Sequence, residues 1–303
     1  MRMRKARLLF CIQAVLLVLL LGLGACRQSP GVGQTEEGTL LPGAVEASDT
    51  LHRGVLLVGR TLVLEGLSGR VSLQGADVDV ARLAFVRVGR GADAAAARRT
   101  LRDIQLREEG TAGSFRYRME ARQAALAQVH VEGTVPRNAR LVITRAGGDV
   151  DLTHIEGPIR VQLAAGEVHV REAADSLEIR LQNGAASVHF RRLPTDAVVT
   201  IQTENGDLWL TLPPEADAQL QAETAAGEVR VEGLTFTERS LQPREAAGAR
   251  FVGKLGQGRA RIMLRTAHGD IVLRSGGPNG MIPPDTLLRP LPPDTMLQGP
   301  GVP

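Results

Sequence analysis

The chain has 303 residues, 43% of them apolar but only 3% aromatic, so its core must be built from thin layers of Val, Leu, Ile and Ala. Its 34 glycines follow no Gly-X-Y period, which excludes collagen and calls for many tight turns. Four of the 36 basic residues (Arg2, Arg4, Lys5, Arg7) precede an apolar run; without them 32 basic residues face 33 acidic ones, too few to neutralise a row of phosphates, which argues against a nucleic-acid partner.

Met1 to Arg7 is a cationic stretch, and Leu8 to Leu23 is apolar apart from Gln13. Leu23-Gly24-Ala25-Cys26 follows at once. This segment resembles a bacterial lipoprotein signal peptide, with Leu23, Gly24 and Ala25 as the lipobox. The resemblance implies cleavage before Cys26 and attachment of lipid to its thiol. An uncleaved membrane helix of roughly 18 residues and an ordinary secretory signal are the alternatives, and neither explains where the cysteine stands. Cys11, the other cysteine, lies inside the signal, so the mature chain has no disulfide and depends on packing alone.

The next stretch, rich in Gly, Ser, Thr, Glu and Pro, reads as a tether. The expected division is a signal peptide at 1–25, a flexible tether at 26–54, one domain at 55–275 and a disordered Gly/Pro-rich tail at 276–303. Within the domain, Asp93 is placed to cap a short helix whose apolar face is Ala97, Leu101 and Ile104. Strand-like runs follow at 115–120 and 129–131.

From Gly148 onward the sequence repeats. A glycine, an acid and an alternating apolar pair recur at Gly148-Asp149-Val150, Gly166-Glu167-Val168, Gly206-Asp207-Leu208, Gly227-Glu228-Val229 and Gly269-Asp270-Ile271, with a degenerate copy at Gly184. A second alternating run precedes most of these glycines, as in Val161-Gln162-Leu163 and Val199-Thr200-Ile201. Period-two alternation means strands with one buried face, and a fixed period near 20 residues means a repeat architecture. Asn205-Gly206 suits a hairpin turn, which would give an antiparallel meander, but that pairing sets Glu204 against Asp207. Stacked coils avoid the clash. The expected fold is therefore all-β, a parallel β-solenoid (single-stranded, β-helix-like) with coils of about 20 residues and one short helix near its N-terminal end. Gly148, Gly166, Gly184, Gly206, Gly227 and Gly269 mark its corners. Val168, Val188, Leu208 and Val229 should share an interior column, and Asp151, His169, His189, Trp209 and Arg230 an outward one. The interval Gly233 to Gly253 breaks the pattern and reads as an inserted loop.

The run Val135-Pro136-Arg137, Leu141-Val142-Ile143 and Gly147-Gly148-Asp149-Val150 resembles the putative adhesin family of bacterial surface proteins, as do Ile155 to Val161 and the stretch from Gly256-Gln257-Gly258 to Ile271. The likeness covers about 135–275 and extends upstream through Gly69 to Leu73 and Asp77 to Val80. It implies a β-solenoid domain of unknown function.

Catalytic signatures are missing from the sequence: it has no His-Glu-x-x-His, Gly-x-Ser-x-Gly or P-loop. His169 and His189 would be metal ligands only if they faced each other on adjacent strands, and no third ligand is evident. The corner acids Asp149, Glu167, Asp207, Glu228 and Asp270 suit local backbone hydrogen bonds better than a calcium groove. Trp209 reads as a ladder residue over the sheet rather than as a ligand contact. The expectation is a non-enzymatic, lipid-anchored surface protein with no catalytic residue, cofactor or metal. It would sit on the extracytoplasmic side of the membrane and bind a surface glycan or an envelope protein. Its rivals are a carbohydrate-active β-helix enzyme, for which Asp207, Glu228 and Arg230 are the candidates, and an envelope-stress or assembly component.

Overall fold

The computed structural model describes residues 45–243 and 247–276. In chain order the strands are β1 (Val45–Leu56), β2 (Thr61–Gly66), β3 (Val71–Ala76) and β4 (Val80–Gly91), followed by helix α1 (Ala94–Asp103), β5 (Gln105–Gly110), β6 (Ser114–Glu120) and β7 (Ala127–Pro136). Then come β8 (Arg140–Arg145), β9 (Val150–Thr153), β10 (Ile159–Ala165), β11 (Val168–Ala173), β12 (Leu177–Asn183), β13 (Ala186–Phe190), β14 (Val198–Asn205) and β15 (Leu208–Leu212). The last are β16 (Ala218–Ala226), β17 (Val229–Glu232), β18 (Glu238–Pro243), β19 (Ala249–Leu255), β20 (Ala260–His268) and β21 (Ile271–Ser275).

Two successive strands and the glycine corner between them make one coil. Equivalent strands of neighbouring coils pair in parallel: Val161 lies beside Ile143 and Ile179, and Ile201 beside Ile179 and Leu264. Ile201 therefore faces its counterparts in other coils, as a solenoid requires, and the Asn205-Gly206 hairpin does not form. The two sheets enclose one continuous core of aliphatic ladders, including Leu141, Ile159, Leu177 and Val199 in one sheet and Val150, Val168, Ala186 and Leu208 in the other. Each Val, Leu or Ile side chain among them contributes about 1.5–3 kcal/mol by leaving water.

Stack order differs from chain order at both ends. From one end to the other the coils run β6–β7, whose connection at 121–126 has no glycine, then β2–β3, β8–β9, β10–β11, β12–β13, β14–β15, β20–β21, β16–β17. The first coil and the last coil of the chain are thus each second from an end. The 42-residue interval between Gly227 and Gly269 holds β18 and β19, and β21 then slots between β15 and β17.

Antiparallel strands close the ends. β4 and β1 extend one sheet beyond β7, and β5 extends the other beyond β6. At the far end β19 pairs antiparallel with β16, and β18 with β19. The stretch read as an inserted loop at Gly233 to Gly253 is mostly this hairpin. Aromatic residues concentrate at the two ends, where the aliphatic ladders stop. Phe85 and Phe115 pack on Tyr117 at 4.7 and 5.1 Å between ring centres, and Phe236 meets Phe251 edge-on at 5.1 Å.

Helix α1 begins where expected, with the Asp93 carboxylate accepting the Ala96 N–H at 2.6 Å. It packs on β4 and β1 so closely that a Cβ on Gly89 would lie 2.3 Å from the Leu101 backbone nitrogen. The ordered sheet starts earlier than the tether boundary at residue 54 implied. Residues 45–56 pair with β4 along their whole length. That strand escaped notice because polar groups occupy both of its faces, with Glu46, Ser48, Thr50 and His52 outward and Asp49 and Arg53 on the inner side.

Candidate binding groove

The six corner glycines form one column. Their φ angles run from 107° to 148°, and the Cβ each lacks would fall on the backbone of the preceding coil. For Gly184 that Cβ would lie 1.9 Å from the Gly166 carbonyl oxygen, and for Gly269 2.2 Å from that of Gly206. Two demands, a left-handed backbone and a close approach, meet at each corner. Three buried threonines next to the column, Thr203, Thr266 and Thr224, donate to the carbonyls of Gly184, Gly206 and Gly269 at 2.9–3.0 Å.

The corner acids are engaged locally. Asp207 accepts the Asp270 N–H at 2.7 Å, Asp270 accepts the Glu228 N–H at 2.9 Å, and Asp149 accepts the Glu167 N–H at 3.3 Å. Arg230 donates to Glu228 at 3.0 Å and to Asp270 at 2.9 Å, and these acids, first through the Glu228 hydrogen bond, raise its pKa. Asp207, Glu228 and Arg230 do not make a catalytic trio, because the inserted coil places Asp270 between Asp207 and the other two.

The glycine-to-strand offset is constant, and it corrects the expected columns. Ala186, not Val188, lies beside Val168 and Leu208, and Ile271 stands between Leu208 and Val229. His169 consequently lies beside Ser187 rather than His189, which is level with Thr211. The two histidines are not neighbours across strands, and among the described residues no three His, Cys, Asp or Glu side chains gather to hold a metal. Trp209 is half-buried and faces outward between Ser187 and Val272. The signal segment with Leu23, Gly24, Ala25 and Cys26 lies outside the described residues, as does most of the tail.

A different feature stands out on the outer face of the sheet that contains β9 and β11. A groove of about 890 Å³ crosses β1, β4, β7, β3, β9 and β11. Strand register lines up Arg82, Thr134, Gln74, Thr153 and Arg171 in one row across it. Adjacent strands are about 4.8 Å apart, so the two guanidinium-bearing positions are separated by roughly 19 Å. A second row holds Glu132, Ser72 and Asp151. Arg171 donates to Thr153 at 3.4 Å and lies 4.0 Å from Asp151. The Arg82 side chain is exposed and makes no hydrogen bond or ion pair with the described residues. Ala84, level with Glu132, keeps the outer face low there, whereas Gly133 lies in the inner row with Leu73 and Leu83, where a Cβ would lie 2.1 Å from the Arg82 carbonyl oxygen. Sequence reasoning missed the groove because its row draws on five strands scattered between residues 74 and 171.

Among the described residues, one charged side chain is buried in the core. Arg145 continues the interior ladder that holds Leu163 and Leu181, and it donates to the carbonyls of Leu67 and, at 2.6 Å, Val129. Burial lowers its pKa to about 10. It ties the β2–β3 corner to the end of the stack and does not reach the groove.

Taken together, these features define a capped parallel β-solenoid with an open polar groove on one face. The model of the Toastrack DUF4097 family matches residues 68–274, and the chain belongs to that family. Curated proteins give no match. Among solved structures, a putative cell adhesion protein from Clostridium sporogenes ATCC 15579 aligns with a TM-score of 0.46 at 10% identity, covering 76% of this chain and 100% of its own. A putative adhesin from Bacteroides fragilis NCTC 9343 aligns with a TM-score of 0.27 at 10% identity, covering 74% of this chain and 97% of its own.

Proposed function

We propose that this chain is a non-enzymatic, lipid-anchored cell-surface protein that holds a strand of envelope glycan in the groove between Arg82 and Arg171. The observation that carries the reading is the row Arg82, Thr134, Gln74, Thr153 and Arg171, which offers hydrogen-bonding side chains at the strand spacing across an open surface. A hydroxyl-rich polymer laid along the solenoid axis meets one such group at every strand. Thr and Gln both donate and accept, as sugar hydroxyls do, and Arg82 is available for an oxygen of the ligand. Extended contact faces of this kind are the usual use of stacked-repeat folds.

The test is retention of the purified chain on immobilised envelope polysaccharide, with the polymer's length followed in parallel. Retention with unchanged length supports the reading. Shortening of the polymer replaces it with the carbohydrate-active enzyme, and retention on envelope proteins alone replaces it with an assembly component. The anchor is tested separately. Cys26→Ser should abolish acyl labelling and leave an unprocessed precursor; labelling that persists overturns the anchor.

A further inference from the structure

β1 is an edge strand of unusual length. It has twelve residues, pairs with β4 without a bulge, and has no second strand neighbour among the described residues. It has neither Lys, Pro nor a bulge to guard a free edge, and the two charges on its inner side, Asp49 and Arg53, are of opposite sign, so a second copy can match them instead of being repelled. We infer that β1 pairs antiparallel with β1 of a second copy, about a two-fold axis at Leu51, so that two solenoids form one continuous sheet.

The register follows from side-chain chemistry. A two-fold axis normal to the sheet must pass through a residue, because outward residues have to meet outward residues. With the axis at Leu51, the inner face matches Leu51 with Leu51, Asp49 with Arg53 and Ala47 with Val55, and the outer face matches Thr50 with His52, Ser48 with Gly54 and, at the ends of the pairing, Glu46 with Leu56. Moving the axis to Thr50 sets Asp49 against Leu51. Moving it to His52 sets Arg53 against Leu51. Axes at Asp49 or Arg53 set like charges against each other. The two inner charges thus select one register. Asp49 already pairs with Arg87 at 2.5 Å and Arg53 with Glu108, yet their side chains remain 41% and 35% exposed, which leaves room for a second partner.

Pairing here would also change the groove. His52 and Gly54 of β1 form its outer rim, so the grooves of two copies would come side by side across the axis, with their rows offset by six residues, about 20 Å, along the strands. A polymer long enough to cross would engage both.

Sedimentation velocity on the chain from Arg27 onward, which carries neither the lipid site nor the apolar segment at 8–23, tests the pairing. Wild-type strand β1 should give a dimer. Thr50→Lys with His52→Lys, and separately Thr50→Glu with His52→Glu, place like charges across the axis on exposed positions and should each give monomers. Mixing the two variants should restore the dimer. A monomeric parent chain at tens of micromolar, variants that stay dimeric, or a mixture that stays monomeric overturns the inference. A second measurement covers variants that misfold. Ser48→Cys with Gly54→Cys, in the same chain from Arg27 onward, which has no other cysteine, should form a disulfide-linked dimer on oxidation, since facing residues of an antiparallel pair are within bonding range. These positions are six residues apart on one strand and cannot bond within a chain. Failure to cross-link in a folded sample contradicts the register.

Discussion

At the scale of single residues, the corner glycines carry the steepest demand. In Gly184→Ala the new Cβ would have to occupy the space of the Gly166 carbonyl, at a backbone φ of 134° that suits only glycine. Backbone strain and overlap with main-chain atoms together should cost about 3 kcal/mol or more. Gly113→Ala, where nothing lies within 4 Å, should be close to neutral. Denaturant melts of the two variants separate these outcomes, and equal stability would mean that the stacked corners are misplaced.

Histidine protonation gives a second prediction at this scale. Burial, aided by Arg145 and Arg70, lowers the pKa of His130, whose Nδ1 accepts the Arg70 N–H at 3.0 Å; burial likewise lowers that of His189. Both rings are therefore harder to protonate in the folded state than in the unfolded one, where the value is about 6.5. Between these values the unfolded chain binds more protons, so stability rises with pH. The contribution is complete above pH 6.5 and is lost as pH falls through the folded values. Melts across pH 5 to 8 should show this decline, and His130→Gln should flatten it. A parent chain that gains stability on acidification from pH 7 to 5.5 would contradict the assignment.

At the scale of the element, alternation decides which substitutions are tolerated. Leu208 is fully buried, whereas Trp209, one residue along, faces outward. Leu208→Asp places a carboxylate among Ala186, Ile271 and their neighbours and should unfold a marginal domain, at a cost of several kcal/mol. Trp209→Ala should cost no more than about 2 kcal/mol. Comparable losses from the two would contradict the facing of β15. This layer of the structure was legible beforehand because alternation reports which face is buried whatever the neighbouring strand is. Register was less so. Ala186 is small enough that Val188 looked like the better match to Val168, although Ala186 keeps the glycine-to-strand offset. β1 was hidden for a related reason, since charges on its inner face disguise a strand.

At the scale of the molecule, what the sequence could not reveal is order. A glycine corner looks the same wherever its coil is inserted, so nothing local announces that β20–β21 returns to lie between β14–β15 and β16–β17. The consequence is physical: the last coil of the chain is sandwiched, and the hairpin β18–β19 guards the edge of β16 that would otherwise be open. The groove was illegible for the same reason, because β3 lies between β7 and β9 only in space. Its residues become a row through stacking, and no spacing along the chain connects Gln74 with Thr134 or Thr153.

The central claim is that the row between Arg82 and Arg171 binds a glycan, and calorimetric titration with envelope polysaccharide fragments tests it most directly. Arg82→Ser combined with Arg171→Ser should weaken binding at least tenfold, about 1.4 kcal/mol. Arg160→Ser, on the outer face of the opposite sheet and paired with Glu178 at 2.7 Å, should leave the affinity unchanged. Undiminished binding by the double variant, or a loss confined to Arg160→Ser, would contradict the account.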